Sequence, residues 1–186
     1  MKPQMIVLMG GQGSGKGTFA HLLLERKKFN YVEAGAILRQ MPADSDIGKK
    51  VASGELIDDD DLFNMISEHI LTTQNTILDG FPRTQNQAKW LIDNYADKFD
   101  IQIIFLNISE QAMLARIQNR IREGGNRKDD TDEKAVQKRI AAFKNITMPA
   151  IQWLSTIDKI KFFDIPVSAD ANIDENFELV MHTIQG

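Results

Sequence analysis

The feature that most constrains this chain is a junction near its start. The apolar run Met5 to Met9 passes without a polar break into Gly10-Gly11-Gln12-Gly13-Ser14-Gly15-Lys16-Gly17-Thr18, and a helix-forming segment follows at once. A strand-length run with no polar alternation suits a strand buried on both faces, as in a parallel sheet. The glycines beyond it let successive backbone N–H groups turn inward, and the start of the helix adds positive potential. The spacing fits GxxxxGK, in which the lysine reaches the outer phosphates of a nucleotide as a mobile point charge. Rival glycine motifs fail on spacing: GxGxxG from Gly11 would need glycine where Lys16 stands, and GxSxG would need glycine at Gln12. Gly11, Gly13, Ser14, Gly15, Lys16, Gly17 and Thr18 are therefore candidate phosphate ligands. The residue after Lys16 is Gly17 and the hydroxyl comes one later, at Thr18, so a direct hydroxyl contact to Mg²⁺ stays open.

Segments of strand and helix character alternate along the rest of the chain. Strand is expected at Gln4 to Met9, Tyr31 to Ala34, Thr76 to Leu78, Ile101 to Leu106 and Lys161 to Phe163. Helix is expected at Gly15 to Lys27, Leu62 to Leu71, Thr84 to Tyr95 and Glu110 to Arg122, from about Asp132 onward, and at Asp174 to Ile184. Such alternation implies an α/β fold in which a parallel sheet is covered by helices on both faces. Two stretches interrupt it. Gln40 to Asp61, with Pro42, Gly48 and Gly54, is long for a connection, and Glu123 to Asp130 is a polar loop; both are candidate flaps. Asp58 to Asp61 read as the start of a helix, where the macrodipole favours acids, rather than as a metal site.

Composition narrows the functional classes. With 186 residues, 42% of them hydrophobic and 26% charged, the chain suits one domain with a real core. It has no cysteine, which excludes disulfides, thiolate catalysis and cysteine zinc sites, and its three histidines, His21, His69 and His182, form no ligand spacing. A net charge of −4 argues against a nucleic-acid partner held by a basic face. It does not argue against a phosphate ligand, because exposed charges beyond about 8 to 10 Å are largely screened and nearby arginines decide. No apolar run approaches the roughly 20 residues needed to cross a bilayer, and no leader layout precedes the first strand. A cytoplasmic location without a membrane partner is the expectation.

The GSGKGT loop is joined by Asp79-Gly80-Phe81-Pro82-Arg83-Thr84 after a later strand, by Arg116-Ile117-x-x-Arg120, by Arg127-Lys128-Asp129-Asp130 and by Lys138-Arg139-Ile140. In this combination the sequence resembles the adenylate kinase family, also called nucleoside monophosphate kinases. The resemblance implies the P-loop nucleoside triphosphate hydrolase fold, with a five-stranded parallel sheet. A single nucleotide kinase domain over 1–186 would carry an NMP-binding insert at 34–61 and a short lid at 121–130. It implies transfer of the γ-phosphoryl group of Mg²⁺-bound ATP to a nucleoside monophosphate, by a monomer. Such a reaction gathers negative charge, so its enzyme must chiefly position and neutralise.

By the same resemblance Lys16, Arg83, Arg120, Arg127 and Arg139 surround the transferring phosphoryl group, and Arg39 grips the acceptor phosphate. Arg116, four residues before Arg120 on one helix face, packs on the ATP adenine. The interval from Arg127 to Arg139 is one residue longer than is usual in the family, so Lys128 is a second candidate for the role of Arg127. Asp79 would order water on Mg²⁺. Ala34, Gly35, Arg39, Ile57, Gly80, Arg83 and Gln87 would form the acceptor site. The acceptor signals are mixed: Ala34 is typical of UMP/CMP kinases, whereas Gln87 matches the glutamine that reads adenine. AMP is the implied acceptor, with UMP or CMP the alternative. Alanine at 36 in place of aspartate keeps open a catalytically weak nucleotide-binding protein, and Gln12 for proline and Phe19 for glutamine are milder departures.

Overall fold

Alternate residues of the central strands serve two different hydrophobic layers. In a computed structural model, which describes residues 2–53, 57–122, 133–167, 175, 177, 178 and 180–182, strand β1 (Gln4–Gly10) is flanked by two others. Between β1 and β2 (Asn30–Glu33) lies β3 (Thr76–Asp79), while β4 (Asp100–Asn107) separates β1 from β5 (Lys161–Pro166), and every pairing is parallel. Met5, Val7 and Met9 point to one layer with Val32, Leu78, Ile103 and Phe105. Ile6 and Leu8 point to the other with Ile77, Ile104 and Leu106. Each side chain so buried contributes about 1.5 to 3 kcal/mol, which makes this register hard to slip.

Helices cover both layers, as the alternation implied. The first lies under α4 (Asp59–Ser67), α5 (Gln85–Tyr95) and α8 (Met148–Leu154), through Leu62, Ile66, Leu91, Ile151 and Leu154. The second lies under α1 (Lys16–Arg26) and α6 (Glu110–Arg122), through Phe19, Leu23 and Met113, joined by Phe177, Val180 and Met181 near the C-terminus. Of the expected helix Asp174 to Ile184, residues 175, 177, 178 and 180–182 are described and all are helical. Where Phe63, Phe81 and Trp90 meet, a stacked pair 4.5 Å apart and two edge contacts fasten α4 to α5.

Residues 54–56 of the interrupting stretch, with Gly54, lie outside the described residues; the described part holds more helix than its length suggested. Ala34 opens a helix, α2 (Ala34–Arg39), instead of closing the strand, and α3 (Asp46–Ser53) follows it. Gly48 lies within α3 and Pro42 in the turn that leads into it. Ser45 Oγ donates to the Pro42 carbonyl at 2.6 Å and accepts from the Gly48 N–H at 2.9 Å. A Cβ at Gly48 would lie 2.0 Å from that carbonyl, so the approach needs glycine. Asp58 precedes α4 and Asp59, Asp60 and Asp61 fill its first turn, as the macrodipole favours. Beyond α6, residues 123–130 of the expected lid lie outside the described residues. The long helix expected from Asp132 is described from α7 (Glu133–Ala142), and a π-helical turn at Phe143–Thr147 carries it into α8.

Leu91 is 0% exposed beneath the sheet, whereas Leu71 is 45% exposed. Leu91→Ala is expected to lower the unfolding free energy by about 2 to 5 kcal/mol in urea titrations, against less than about 0.5 kcal/mol for Leu71→Ala.

Candidate active site

The loop after β1 sits where open α/β sheets bind ligands, outside the carboxyl ends of the strands. Gly13 and Gly15 have φ of 78° and 94°, a region in which other residues are strained, and these two turns bring the chain round into α1. Ser14 is buried, and its N–H donates to the Gly11 carbonyl at 3.2 Å. Lys16 Nζ folds back over the loop, donating to the carbonyls of Gly10 at 2.7 Å and Gly11 at 3.1 Å and to Ser14 Oγ at 3.4 Å. Gly17 has open space where a side chain would stand, and Thr18 is exposed on the first turn of α1.

Helices α6 and α7 bring arginines to this loop. Ile117 of α6 packs against Val136 and Ile140 of α7, which fixes the pair as a unit. Arg116 Nη1 donates to the Gly13 carbonyl at 3.2 Å, and partial burial pulls its guanidinium below the ordinary arginine value. One turn on, the Nε and Nη2 atoms of Arg120 are shut off from solvent. Arg139 Nε donates to Gln12 Oε1 at 3.0 Å. The structure thus brings Lys16, Arg116 and Arg139 to the loop, while Arg127 and Lys128 lie outside the described residues.

Asp79, the last residue of β3, is 7% exposed. Burial is the largest influence on its carboxyl and raises it above the ordinary carboxylate range. Lys16, the Tyr31 hydroxyl and Arg83 pull the other way, and Glu33 pushes with burial. Tyr31 donates to Asp79 Oδ2 at 3.3 Å. After Asp79, Gly80 has φ of 79° and the Phe81–Pro82 peptide is cis. Arg83 Nε donates to the Gly80 carbonyl at 2.9 Å. Arg83 keeps contact with solvent yet is crowded by the cleft walls. That crowding lowers its guanidinium from the ordinary value; Asp79 opposes the shift, and Arg139 and Arg39 add to it. The guanidiniums of Arg39, Arg83 and Arg139 therefore lie within Coulombic reach of one point.

The other wall is built by α2, α4 and α5. Ala34 is buried, and a Cβ at Gly80 would stand 3.9 Å from both Ala34 Cβ and the Gly35 nitrogen, so these residues face one another. Arg39 is tied by Nη2 to Glu33 Oε1 at 2.7 Å. Ile57 is partly buried against the core. Gln87 is 5% exposed, not a surface residue: its Nε2 donates to Asp59 Oδ1 at 2.9 Å and its Oε1 accepts from the Arg83 N–H at 2.7 Å. Asp59 Oδ2 also accepts from Asn86 Nδ2 at 2.6 Å.

The donor set suits a hard cation shared with phosphates. Asp79 offers carboxylate oxygens beside Lys16, and among the described residues no cluster of three or more metal-binding side chains occurs. Mg²⁺ commonly uses one or two carboxylates, its own water and substrate oxygens, not a protein cage. Three residues of this site, Tyr31, Glu33 and Asp59, were missed as functional in the sequence. Tyr31 and Glu33 stand two apart on β2, on the sheet face that Asp79 shares, and the register pairs Glu33 with Asp79. That alternation was the only signal.

Comparison with known proteins covers all of this cleft. A family model described as adenylate kinase matches residues 8–159. The adenylate kinase of Agrobacterium fabrum is 32% identical over 95% of this chain and 96% of its own length. That of Encephalitozoon cuniculi is 30% identical over 100% of both chains. Adenylate kinase isoenzyme 5 of mouse is 29% identical over 97% of this chain and 35% of the longer protein. The family match runs from the last residues of β1 past the end of α8 and so includes every arginine placed above, and the chain belongs to the adenylate kinase family.

Proposed function

We propose that this chain transfers the γ-phosphoryl group of ATP to AMP, yielding two molecules of ADP. The observation that carries the reading is the meeting of Lys16, from the loop that would hold ATP, and Arg83, from the opposite wall, in the field of the buried carboxylate of Asp79. Two phosphate sites that share a boundary suit group transfer between two nucleotides. Hydrolysis of one nucleotide would require no second cluster of guanidiniums.

Each residue then has a defined task. The amides of Gly11 to Thr18 and the ammonium of Lys16 hold the ATP phosphates, with Arg116 beside the base and Arg120 toward the phosphates. Arg39 and Arg83 grip the acceptor phosphate, with Arg139 and Arg127 closing on the group in flight. Preorganised cations of this kind lower the barrier because they need not reorganise as charge shifts to the equatorial oxygens. Gln87 reads the acceptor base across Ala34 and Gly35, beside Ile57 and Gly80. Asp79 holds water of a nucleotide-bound Mg²⁺, which would neutralise charge on the phosphates. Residues 34–61 serve as the acceptor-binding insert and 121–130 as a short lid, whose closure would keep water from the phosphoryl group. A monomer suffices for this scheme, and the cytoplasm, where both nucleotides occur, is the proposed location. Among the described residues no helix is long and apolar enough to cross a membrane.

A coupled assay with ATP, Mg²⁺ and each of AMP, dAMP, UMP, CMP and GMP tests the proposal. AMP is expected to give the highest kcat/KM, and absence of turnover with all five removes the phosphotransfer reading. Lys16→Ala and Arg83→Ala are each expected to lower kcat/KM by about 10² or more, roughly 2.7 kcal/mol of transition-state stabilisation, while the circular dichroism spectrum stays unchanged.

Asp79 supplies a stability test. Its carboxyl is held above the ordinary 3.8, so the folded state binds this proton more tightly than the unfolded chain does. Ionisation therefore costs stability, and the cost grows as pH rises from the unfolded value through the folded one. Asp79→Asn is expected to melt at higher temperature than wild type at about pH 8, with the gap closing toward about pH 4, and to lose activity. An equal melting temperature at both pH values would show that the carboxylate carries no burial cost.

A further inference from the structure

Glu33 is the acid bound directly to a guanidinium of the acceptor wall, that of Arg39. It ends β2, opposite Asp79 in the strand register. Its Oε1 accepts from Arg39 Nη2 at 2.7 Å, with the glutamate side chain 31% exposed and the arginine 63%. The ion pair closes over the bare Cα of Gly35: a Cβ there would lie 3.0 Å from Arg39 Nη1 and 3.6 Å from Glu33 Oε1. Arg83 borders the same space, since a Cβ at Gly80 would lie 3.6 Å from its Nη2 and 3.9 Å from the Gly35 nitrogen. Arg39 and Arg139 both act on the charge of Arg83, so three like charges lie near one another.

Like charges confined this way repel, and a long arginine with nothing to hold it would swing toward water. A carboxylate from the adjoining strand end counters that by giving Arg39 an acceptor at the mouth of the cleft. The pair is partly open to solvent, which keeps it weak, and an exposed ion pair contributes no more than about 1 kcal/mol. A phosphate dianion offers several oxygens at once to two guanidiniums and forms the stronger, charge-assisted contacts. It therefore has the means to take Arg39 from Glu33.

We propose that Glu33 is a built-in counter-anion of the acceptor-phosphate site, holding Arg39 in place until the phosphate of a nucleoside monophosphate displaces it, at a cost in acceptor affinity. The proposal rests on the assignment of Arg39 and Arg83 to the acceptor phosphate. It gives Glu33 a positioning role that acts through Arg39 and needs no contact with the reacting atoms.

Glu33→Gln keeps the side chain's length and removes its charge. In titration calorimetry this variant is expected to bind AMP and inorganic phosphate about two- to fivefold more tightly than wild type, the range open to a partly exposed ion pair. Adenosine should bind both proteins equally, and Glu33→Ala should change AMP affinity in the same direction. In an Arg39→Met background the effect of Glu33→Gln should vanish. Unchanged or weaker AMP binding by Glu33→Gln overturns the proposal. So does a gain that extends to adenosine, a gain that survives the loss of Arg39, or failure of every variant to bind phosphate. None of these measurements uses turnover, so they stand or fall apart from the acceptor assay.

Discussion

The backbone path from Gly10 to Gly15 governs the placement of nearly everything else. A strand buried on both faces must end somewhere, and here it ends in turns whose φ values exclude ordinary side chains at Gly13 and Gly15. The same turns bring the loop against α6. A Cβ at Gly11 would lie 2.2 Å from Met113 Sδ, and one at Gly13 would lie 3.3 Å from the Met113 carbonyl and 3.4 Å from Arg116 Cβ. Loop and helix are thus shaped to each other, and Arg116 donates to the Gly13 carbonyl as a consequence. Because α6 in turn packs on α7 through Ile117, Val136 and Ile140, the position of Arg139 also traces back to the glycines.

Electrostatics adds a second layer to that arrangement. The chain as a whole is acidic, with a formal charge of −4, yet its cleft gathers Lys16, Arg39, Arg83, Arg116 and Arg139. Such a cluster is unfavourable without anions, and two acids answer it from neighbouring strand ends. Asp79 is buried and held above its ordinary value despite Lys16 and Arg83, which shows that its desolvation outweighs its cationic neighbours. Glu33 is more open and is bound to Arg39 directly. Two acids offset only part of the charge of five cations, so the cleft stays locally positive within an acidic chain, which is why the net charge of the chain said so little about its ligands.

The legible parts of this molecule were those written in contiguous residues. The loop from Gly10 to Thr18 and the run from Asp79 to Thr84 each pack a strand end, a turn and a helix start into a few positions, and Thr84 does cap α5 by accepting from the Gln87 N–H at 3.1 Å. The buried strands were readable because both faces are apolar, so no choice of register was needed to recognise them. What stayed hidden depends on partners distant in sequence. Tyr31 reaches Asp79 across 48 positions and Asp59 meets Gln87 across 28, and neither pair leaves a local mark. Helices α2 and α3 escaped notice for a related reason: α2 spans only 6 residues and α3 only 8, and the contacts that start α3, from Ser45 to Pro42 and Gly48, involve side chain and backbone positions that carry no periodic apolar signal.

The contact between Asp59 and Gln87 bears on how the acceptor wall could discriminate among bases. Gln87 presents its amide nitrogen to a carboxylate, which can only accept, and its amide oxygen to the backbone N–H of Arg83, which can only donate. Reversing the amide would set oxygen against oxygen and N–H against N–H, so its orientation is locked from α4 and from the turn after β3. Each end still has one unused capacity, a second N–H and a second lone pair. On the proposed reading, these offer an adenine edge one donor and one acceptor in a fixed order. A base with the opposite order would leave both buried groups unmatched, a penalty of about 1 to 3 kcal/mol for each. Specificity at this wall would then come from the unread acid on α4 as much as from the glutamine itself, because Asp59 fixes which pattern Gln87 is able to show.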